Sequence, residues 1–268
     1  MRILFLGDIV GESGCKAVIQ FLPSKIIEKK IDFVVVNGEN AALEGVGITE
    51  EIAKSLFDCG VDVITTGNHV WDQKETAIYI EKEKRLLRPE NMIKPSPGSG
   101  FGIYISKKGL KIGVLNLMGN IFMKKCEDVF EVAQNFLFKN KLKEDYDFLV
   151  VDFHGEITSE KMAMGHFLDG KATLVVGTHT HVPTSDTIIL KHGTAYQTDA
   201  GMCGDYDSVI GMNKGNSINR FLKKNSQKHF PANGEATLCG SIVDCNVETG
   251  LADKINQFIF GGELKNSN

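Results

Sequence analysis

Apolar residues fall in short, dense runs along this chain, and each run stops at glycine or at a polar residue. Residues 2 to 6, Phe33 to Val36, Val61 to Ile64, Asp147 to Asp152 and Thr173 to Val176 are brief and rich in β-branched side chains, so each reads as a buried strand. Between them lie segments with helical spacing. Glu12 to Leu22 is the first, with Pro23 interrupting or restarting it; Thr49 to Asp58 follows with Thr49 as N-cap; Lys74 to Lys84 is the third. Strands alternating with helices predict parallel strands joined by right-handed crossovers. After a loop from Arg88 to Gly98 the texture changes. Phe101 to Ile105 and Lys111 to Leu117 read as a hairpin around Lys107-Lys108-Gly109, and residues 119 to 126 as a loop. Val129 to Lys141 reads as a helix, and a helix capped by Thr158 or Ser159 ends near Leu168. Extended runs at Thr187 to Leu190, Thr194 to Gln197, Ala236 to Val247 and Ile255 to Phe260 close the pattern, and residues 261 to 268 read as a frayed tail. The expectation is an α/β protein of two packed sheets flanked by helices, in a single domain spanning residues 1 to 268.

The strand ends carry the chemistry. Asp8 follows the first run, Glu39 and Asn40 the second, Asn68 and His69 the third, His154 the fourth, and His179 and His181 the fifth. In open sheets with parallel strands, ligands bind beyond the carboxyl ends of the strands. Residues i and i+2 of an extended segment face the same side, so His179 and His181 can address one point. Each residue has a plainer alternative: Asp8 as cap of the helix near Glu12, Asn68 as a turn residue, His154 as a satisfied core histidine. Recurrence at five strand ends favours ligands. Oxygen and imidazole donors without thiolates suit iron, manganese or zinc in a working site, not a structural cysteine-zinc site. Two ions roughly 3.5 to 4 Å apart need a bridging carboxylate, for which Glu39 has the oxygens, and a pair of that kind serves phosphoester hydrolysis. His166, His192 and His229 lack this placement; Trp71-Asp72 reads as packing against and capping the next helix, and Arg88 is the arginine nearest the motifs in chain order.

Composition removes other classes. With 268 residues and a net charge of −4, the chain has no electrostatic footprint for duplex nucleic acid or an anionic membrane surface. An anionic small molecule would be drawn by the metal ions instead. The six cysteines show no Cys-x-x-Cys spacing, which fits a reducing cytoplasm. The first apolar run is too short for a secretory signal, and no run approaches the length of a membrane-spanning helix. A homo-oligomer stays open.

The order Gly7-Asp8, Gly38-Glu39-Asn40, Gly67-Asn68-His69, His154 and Gly177-Thr178-His179-Thr180-His181 resembles the calcineurin-like metallophosphoesterase superfamily. The phrases Asn37 to Ala42, Gly67 to Asp72, Asp152 to His154 and Gly177 to Val182 resemble its YmdB-type bacterial members, over Met1 to about Val247. The resemblance implies a four-layer αββα sandwich with a dinuclear centre, often iron, in divalent or mixed-valence form. It also implies hydrolysis of phosphodiesters such as 2′,3′-cyclic nucleotides. Carried over by position, Asp8, Glu39, Asn40 and His181 hold one ion, and Glu39, Asn68, His154 and His179 hold the other. His69 is then the proton donor. Asp8-Ile9-Val10 replaces the superfamily's Asp-x-His, and Glu39 replaces its bridging aspartate; both departures agree with the YmdB-type subgroup. The expected reaction is attack on phosphorus by a hydroxide generated between the ions while His69 protonates the departing ribose oxygen. A phosphomonoesterase or protein phosphatase on the same centre, or a metal-dependent nucleotide-binding regulator, are the alternatives. Substrate contacts are expected from the loops at 88 to 98, 119 to 126 and 199 to 213.

Overall fold

The computed structural model describes residues 1–224 and 228–264, so the expected frayed tail lies outside the described residues from position 265 onward. In chain order the elements are β1 (Arg2–Leu6), β2 (Asp8–Ile9), α1 (Gly11–Lys29), β3 (Phe33–Asn37), α2 (Glu50–Asp58), β4 (Val63–Thr65) and α3 (Thr76–Lys82). They continue with β5 (Phe101–Ile105), β6 (Lys111–Met118), α4 (Val129–Lys139), β7 (Phe148–His154), α5 (Thr158–Phe167) and β8 (Leu174–Thr178). The last are β9 (Ile188–Ile189), β10 (Ala195–Gln197), β11 (Met202–Asp205), α6 (Lys214–Phe221), β12 (Ala236–Cys245) and β13 (Ala252–Phe260).

These strands form two mixed sheets. One runs β2-β11-β12-β1-β3-β4, with β13 pairing on β12; the other runs β5-β6-β7-β8-β10-β9. β1, β3 and β4 are parallel while β12 is antiparallel to β1. β6, β7, β8 and β10 are parallel, with β5 and β9 antiparallel at the two edges.

Alternation within single strands explains the layering. Ile3 and Phe5 of β1 join Val35, Val63, Val114, Phe148, Val150, Leu174 and Val176 in a core between the sheets. Leu4 and Leu6 face the other way, onto Val18, Leu22, Leu56 and Ile80 of α1, α2 and α3. On the far side, Leu115, Val151 and Val175 meet Val129, Phe136 and Met164 of α4 and α5. The order is helices, sheet, sheet, helices, and strands covered on both faces read as continuous apolar runs.

Local readings need correction in a few places. Pro23 does not interrupt α1, which runs on to Lys29. Proline removes one N–H from the ladder, but Val18 and Leu22 before it and Ile26 after it pack on one cluster, and that burial holds the helix together. Thr49 caps α2 through the Ile52 N–H as predicted, whereas α5 starts at Thr158 without a side-chain cap. β2, β11 and α6 were not visible as apolar patterns: β2 has two residues, β11 is Met-Cys-Gly-Asp, and α6 is polar with an internal glycine.

A candidate metal centre between the strand ends

The carboxyl ends of β1, β3, β4, β7 and β8 deliver seven donor residues to one place. His154, the last residue of β7, is fully buried, and its Nε2 is the meeting point. Glu39 Oε1 lies 2.9 Å from it, Asn68 Oδ1 3.1 Å and His179 Nδ1 3.1 Å. Its other nitrogen, Nδ1, lies 2.9 Å from Thr178 Oγ1, which donates its own hydrogen to Asp152 Oδ1 at 2.7 Å. Thr178 must therefore accept from an Nδ1–H, which turns Nε2 toward the donor cluster. Asp152 also accepts from Asn37 Nδ2 and Thr65 Oγ1, so one buried carboxylate ties together the ends of β3, β4, β7 and β8.

A second group of donors adjoins the first. Asp8 Oδ2 accepts the His179 N–H at 3.1 Å, while Oδ1 lies 3.8 Å from both His181 Nε2 and His154 Nδ1. Asn40 donates its amide to Gly45 O at 2.8 Å. Asp8 Oδ1 and Asn40 Oδ1 are buried and make no hydrogen bond. Leaving such oxygens unmatched is costly, and a cation is the partner that a carboxylate and an amide oxygen beside imidazoles would accept. The residues present fit metal ions. Asp8 is not a helix cap, since the N-cap of α1 is Val10 and no side chain caps it.

The electrostatics say the same. Burial opposes a charged His154, but Glu39, Asp8 and Asp152 outweigh it and raise the group to about 9. Glu39 is pushed up by burial and pulled further down by His154 and His69, to about 2. Asp8 is raised by burial. His179 is lowered to about 3 by burial and by the neighbouring His154, and so stays neutral. Without a metal, a proton on His154 balances the carboxylates.

The histidine pair reaches the site by a different route from the one its spacing suggests. β8 ends at Thr178, and His179 and His181 have φ of 97° and 66°. They lie in a tight loop with left-handed backbone, not on one face of a strand. Such conformations cost roughly 1 to 3 kcal/mol each for residues other than glycine. The loop splits the pair: His179 reaches the His154 side, and His181 the Asp8 side. Each has an orienting partner, with His179 Nε2 3.1 Å from Glu156 Oε2 and His181 Nδ1 donating to Ile210 O at 2.8 Å. Ile210 itself has φ of 50°, an unfavourable value for a β-branched residue. Gly67 has a different role, close approach: a Cβ there would lie 2.1 Å from His154 Cδ2 and 2.3 Å from Glu39 Oε2.

His69 stands beside the donors. Its N–H donates to Glu39 Oε2 at 3.1 Å and its Nδ1 lies 2.6 Å from Asp72 Oδ2. Asp72 does not cap α3, whose N-cap is Glu75; it orients His69, while Trp71 packs against the core as expected. Lys124 reaches over from the 119 to 126 loop to donate to Asn68 O at 2.6 Å and lies 3.5 Å from Asp72 Oδ1.

A cavity of about 550 Å³ opens onto the centre and is lined by Glu39, Asn40, His69, His179, Thr180 and His181. Its outer wall holds Glu44, Val46, Glu156, Ile210, Met212, Arg220, Lys228 and His229. Of the three loops expected to contact substrate, 199 to 213 contributes Ile210 and Met212, and the other two contribute no lining residue. Arg88 is only 5% exposed and spends its guanidinium on the carbonyls of Pro89, Pro97 and Gly98, so Arg220 and not Arg88 is the arginine at the cavity. His229, set aside in the sequence, also reaches it. No sequence signal pointed to Arg220, because the apolar residues of α6, Ile218 and Phe221, stay exposed and mark no face toward the cavity.

Residues 4–258 match the family model described as YmdB-like protein. The chain belongs to that family. It is 41% identical over 263 residues to the 2′,3′-cyclic-nucleotide 2′-phosphodiesterase of Bacillus subtilis (strain 168), covering 98% of each chain. Among solved structures it superposes with a TM-score of 0.89 on a novel phosphatase from Mycoplasma pneumoniae, at 34% identity over 97% of this chain and 93% of that one. It matches a hypothetical protein from Thermus thermophilus with the same TM-score, at 38% identity over 98% and 100%. As a member of this metallophosphoesterase family the chain is an enzyme that hydrolyses phosphoester bonds. Among the described residues no helix is long and apolar enough to cross a membrane.

Proposed function

We propose that this YmdB-like chain is a dinuclear metal phosphodiesterase acting on cyclic nucleotides of the 2′,3′ type, as the name of its Bacillus relative suggests. Asp8, Glu39, Asn40 and His181 would hold one ion, and Glu39, Asn68, His154 and His179 the other. Iron, manganese and zinc all suit this donor set, and the family resemblance favours iron among them. The observation that carries the reading is the pair of unsatisfied buried oxygens, Asp8 Oδ1 and Asn40 Oδ1, next to three donors that converge on His154 Nε2.

When bound, the ions supply Lewis acidity and a water ionised near neutral pH. The chain's own groups do the rest. As the proposed bridge Glu39 would hold both ions; its Oε1 lies 2.9 Å from His154 Nε2 and its Oε2 accepts the His69 N–H. The burial of Asp8, Glu39 and His154 keeps bulk water from the base of the cavity. His69 has Nδ1 committed to Asp72, which leaves Nε2 to carry the proton given to the departing ribose oxygen. Val46, Ile210 and Met212 provide an apolar wall suited to a nucleobase, and Arg220 and Lys228 add positive charge beyond the donors. A preference for diesters over monoesters rests on the relative's name. A cytoplasmic setting, inferred from cysteine spacing, and a small-molecule partner in place of duplex nucleic acid belong to the same proposal.

Protein purified without oxygen and assayed on cyclic nucleotides, linear diesters and monoesters tests it. We expect the highest kcat/KM on 2′,3′-cyclic nucleotides; a clear preference for monoesters would replace the proposal by a phosphatase on the same centre.

A further inference from the structure

The loop that carries His179 and His181 is anchored by an ion pair that the proposed reaction does not use. Lys161 on α5 and Asp199 after β10 have side chains 1% and 0% exposed, with Nζ 2.7 Å from Oδ2. Taking two charges out of water is expensive, and well-packed apolar replacements for such pairs are often neutral or stabilising. Stability alone therefore does not account for it. Its contacts do. The same Oδ2 accepts both the N–H of Thr180, at 3.1 Å, and its hydroxyl, at 2.7 Å. Thr180 is the residue between the two histidines. Asp199 is itself fixed, with Oδ1 accepting the Gly201 N–H at 2.8 Å and its own N–H donating to Thr184 Oγ1 at 2.9 Å. The approach is close: a Cβ on Gly177 would lie 1.8 Å from Thr198 O and 2.8 Å from Lys161 Cδ. His179 and His181 both hold left-handed backbone, which persists only where the surroundings over-determine it.

We propose that Asp199, charge-balanced by Lys161, is a positioning residue for both proposed metal ions at once. By clamping Thr180 through two hydrogen bonds to one oxygen, it sets the backbone of His179 on one side and of His181 on the other. This rests on the metal-site reading above, in which the two histidines serve different ions. Loosening the clamp weakens both ions together, whereas removing a single terminal ligand weakens its own ion first.

The test uses manganese(II) as the probe, with binding isotherms, elemental analysis and the Tm of the metal-depleted protein measured on the same preparations. The double variant Lys161→Met/Asp199→Asn removes both charges and leaves no lone buried ion. Thr180→Ala removes one hydrogen bond and leaves the ion pair intact. We expect the double variant to bind both ions about 10- to 100-fold more weakly, the usual range for partners that orient ligands, and Thr180→Ala to show a smaller loss at both. A role in stability alone would lower the metal-free Tm and leave the affinity of the folded protein unchanged. That result, or a loss confined to one ion, overturns the proposal. If the double variant does not fold, Thr180→Ala decides by the same criterion. Wild-type protein that takes up no manganese would instead overturn the metal reading.

Discussion

Replacing His69 by alanine separates proton donation from metal binding. Among the described residues His69 hydrogen-bonds to the proposed donors through its backbone N–H, which alanine retains, so metal content should stay at the wild-type level. What is lost is the imidazole held by Asp72 at 2.6 Å. General-acid assistance is worth about 10²- to 10⁴-fold, or roughly 3 to 5 kcal/mol of transition-state stabilisation. That loss should appear in kcat for a 2′,3′-cyclic nucleotide, whose leaving group is a poor alkoxide. It should nearly vanish for a p-nitrophenyl diester, whose leaving group needs little protonation. Asp72→Asn supplies an internal scale. The two side chains are 29% and 33% exposed, so a charge-assisted hydrogen bond worth about 1.5 to 3 kcal/mol when buried is screened to about 1 kcal/mol, a five- to tenfold effect. Both variants are assayed on the two substrates with metal content measured in parallel. Equal losses on the two substrates would remove His69 from the acid role, and loss of metal along with activity would make it a support of the centre instead.

Other perturbations probe the centre directly. Glu39→Gln should weaken both ions, because Glu39 is the proposed bridge between them; elemental analysis showing one ion kept at full affinity would make Glu39 a terminal ligand. Gly67→Ala should reduce metal affinity at least tenfold, since a Cβ 2.1 Å from His154 Cδ2 forces that ring or Glu39 to move; unchanged binding isotherms would show that the site relaxes freely.

The parts of the fold visible in the sequence are those in which burial repeats over several residues. β1, β3, β7 and β8 are apolar on both faces, and their polar ends are visible because the pattern stops there. The seven proposed donors stood out for that reason, since each lies at the carboxyl end of a buried strand or in the few residues after it. What the sequence hid depends on single contacts. Asp72 looks like a cap and Glu156 like a surface acid until the chain folds them onto His69 and His179. Their i, i+2 spacing suggested that His179 and His181 share a strand face, but two left-handed residues cannot be read from a Thr-His-Thr-His string. Arg220, Lys228 and His229 come from a short helix and the chain after it, where the apolar residues Ile218, Phe221 and Leu222 stay exposed and so point to no inward face.

The proton on His154 gives the centre a definite dependence on acidity. In the metal-free protein burial opposes the charged imidazolium, yet Glu39, Asp8 and Asp152 raise it to about 9, against about 6.5 in an unfolded chain. A raised value contributes stability that is complete below about pH 6.5 and is lost as pH climbs toward 9. Asp8, raised by burial, acts in the same sense. His179 works on the other side: lowered to about 3, chiefly by burial, it contributes stability present above about pH 6.5 and lost as pH falls toward 3. The Tm of the metal-free protein should therefore fall between pH 6.5 and 8, where the His154 contribution is being lost. Metal uptake should follow the opposite slope, because an ion at His154 Nε2 has to displace a proton. With His154 at about 9, affinity is reduced about 100-fold at pH 7 and about tenfold at pH 8 relative to the deprotonated site, so it should rise nearly tenfold per pH unit across that interval. Isotherms at pH 7 and 8 in two buffers of different ionisation enthalpy give both the affinity ratio and the protons released. An affinity that does not change with pH, with no proton released, would mean that His154 does not carry the charge that balances Glu39 and Asp8, and the assignment of its Nε2 as a metal donor would lose its electrostatic support.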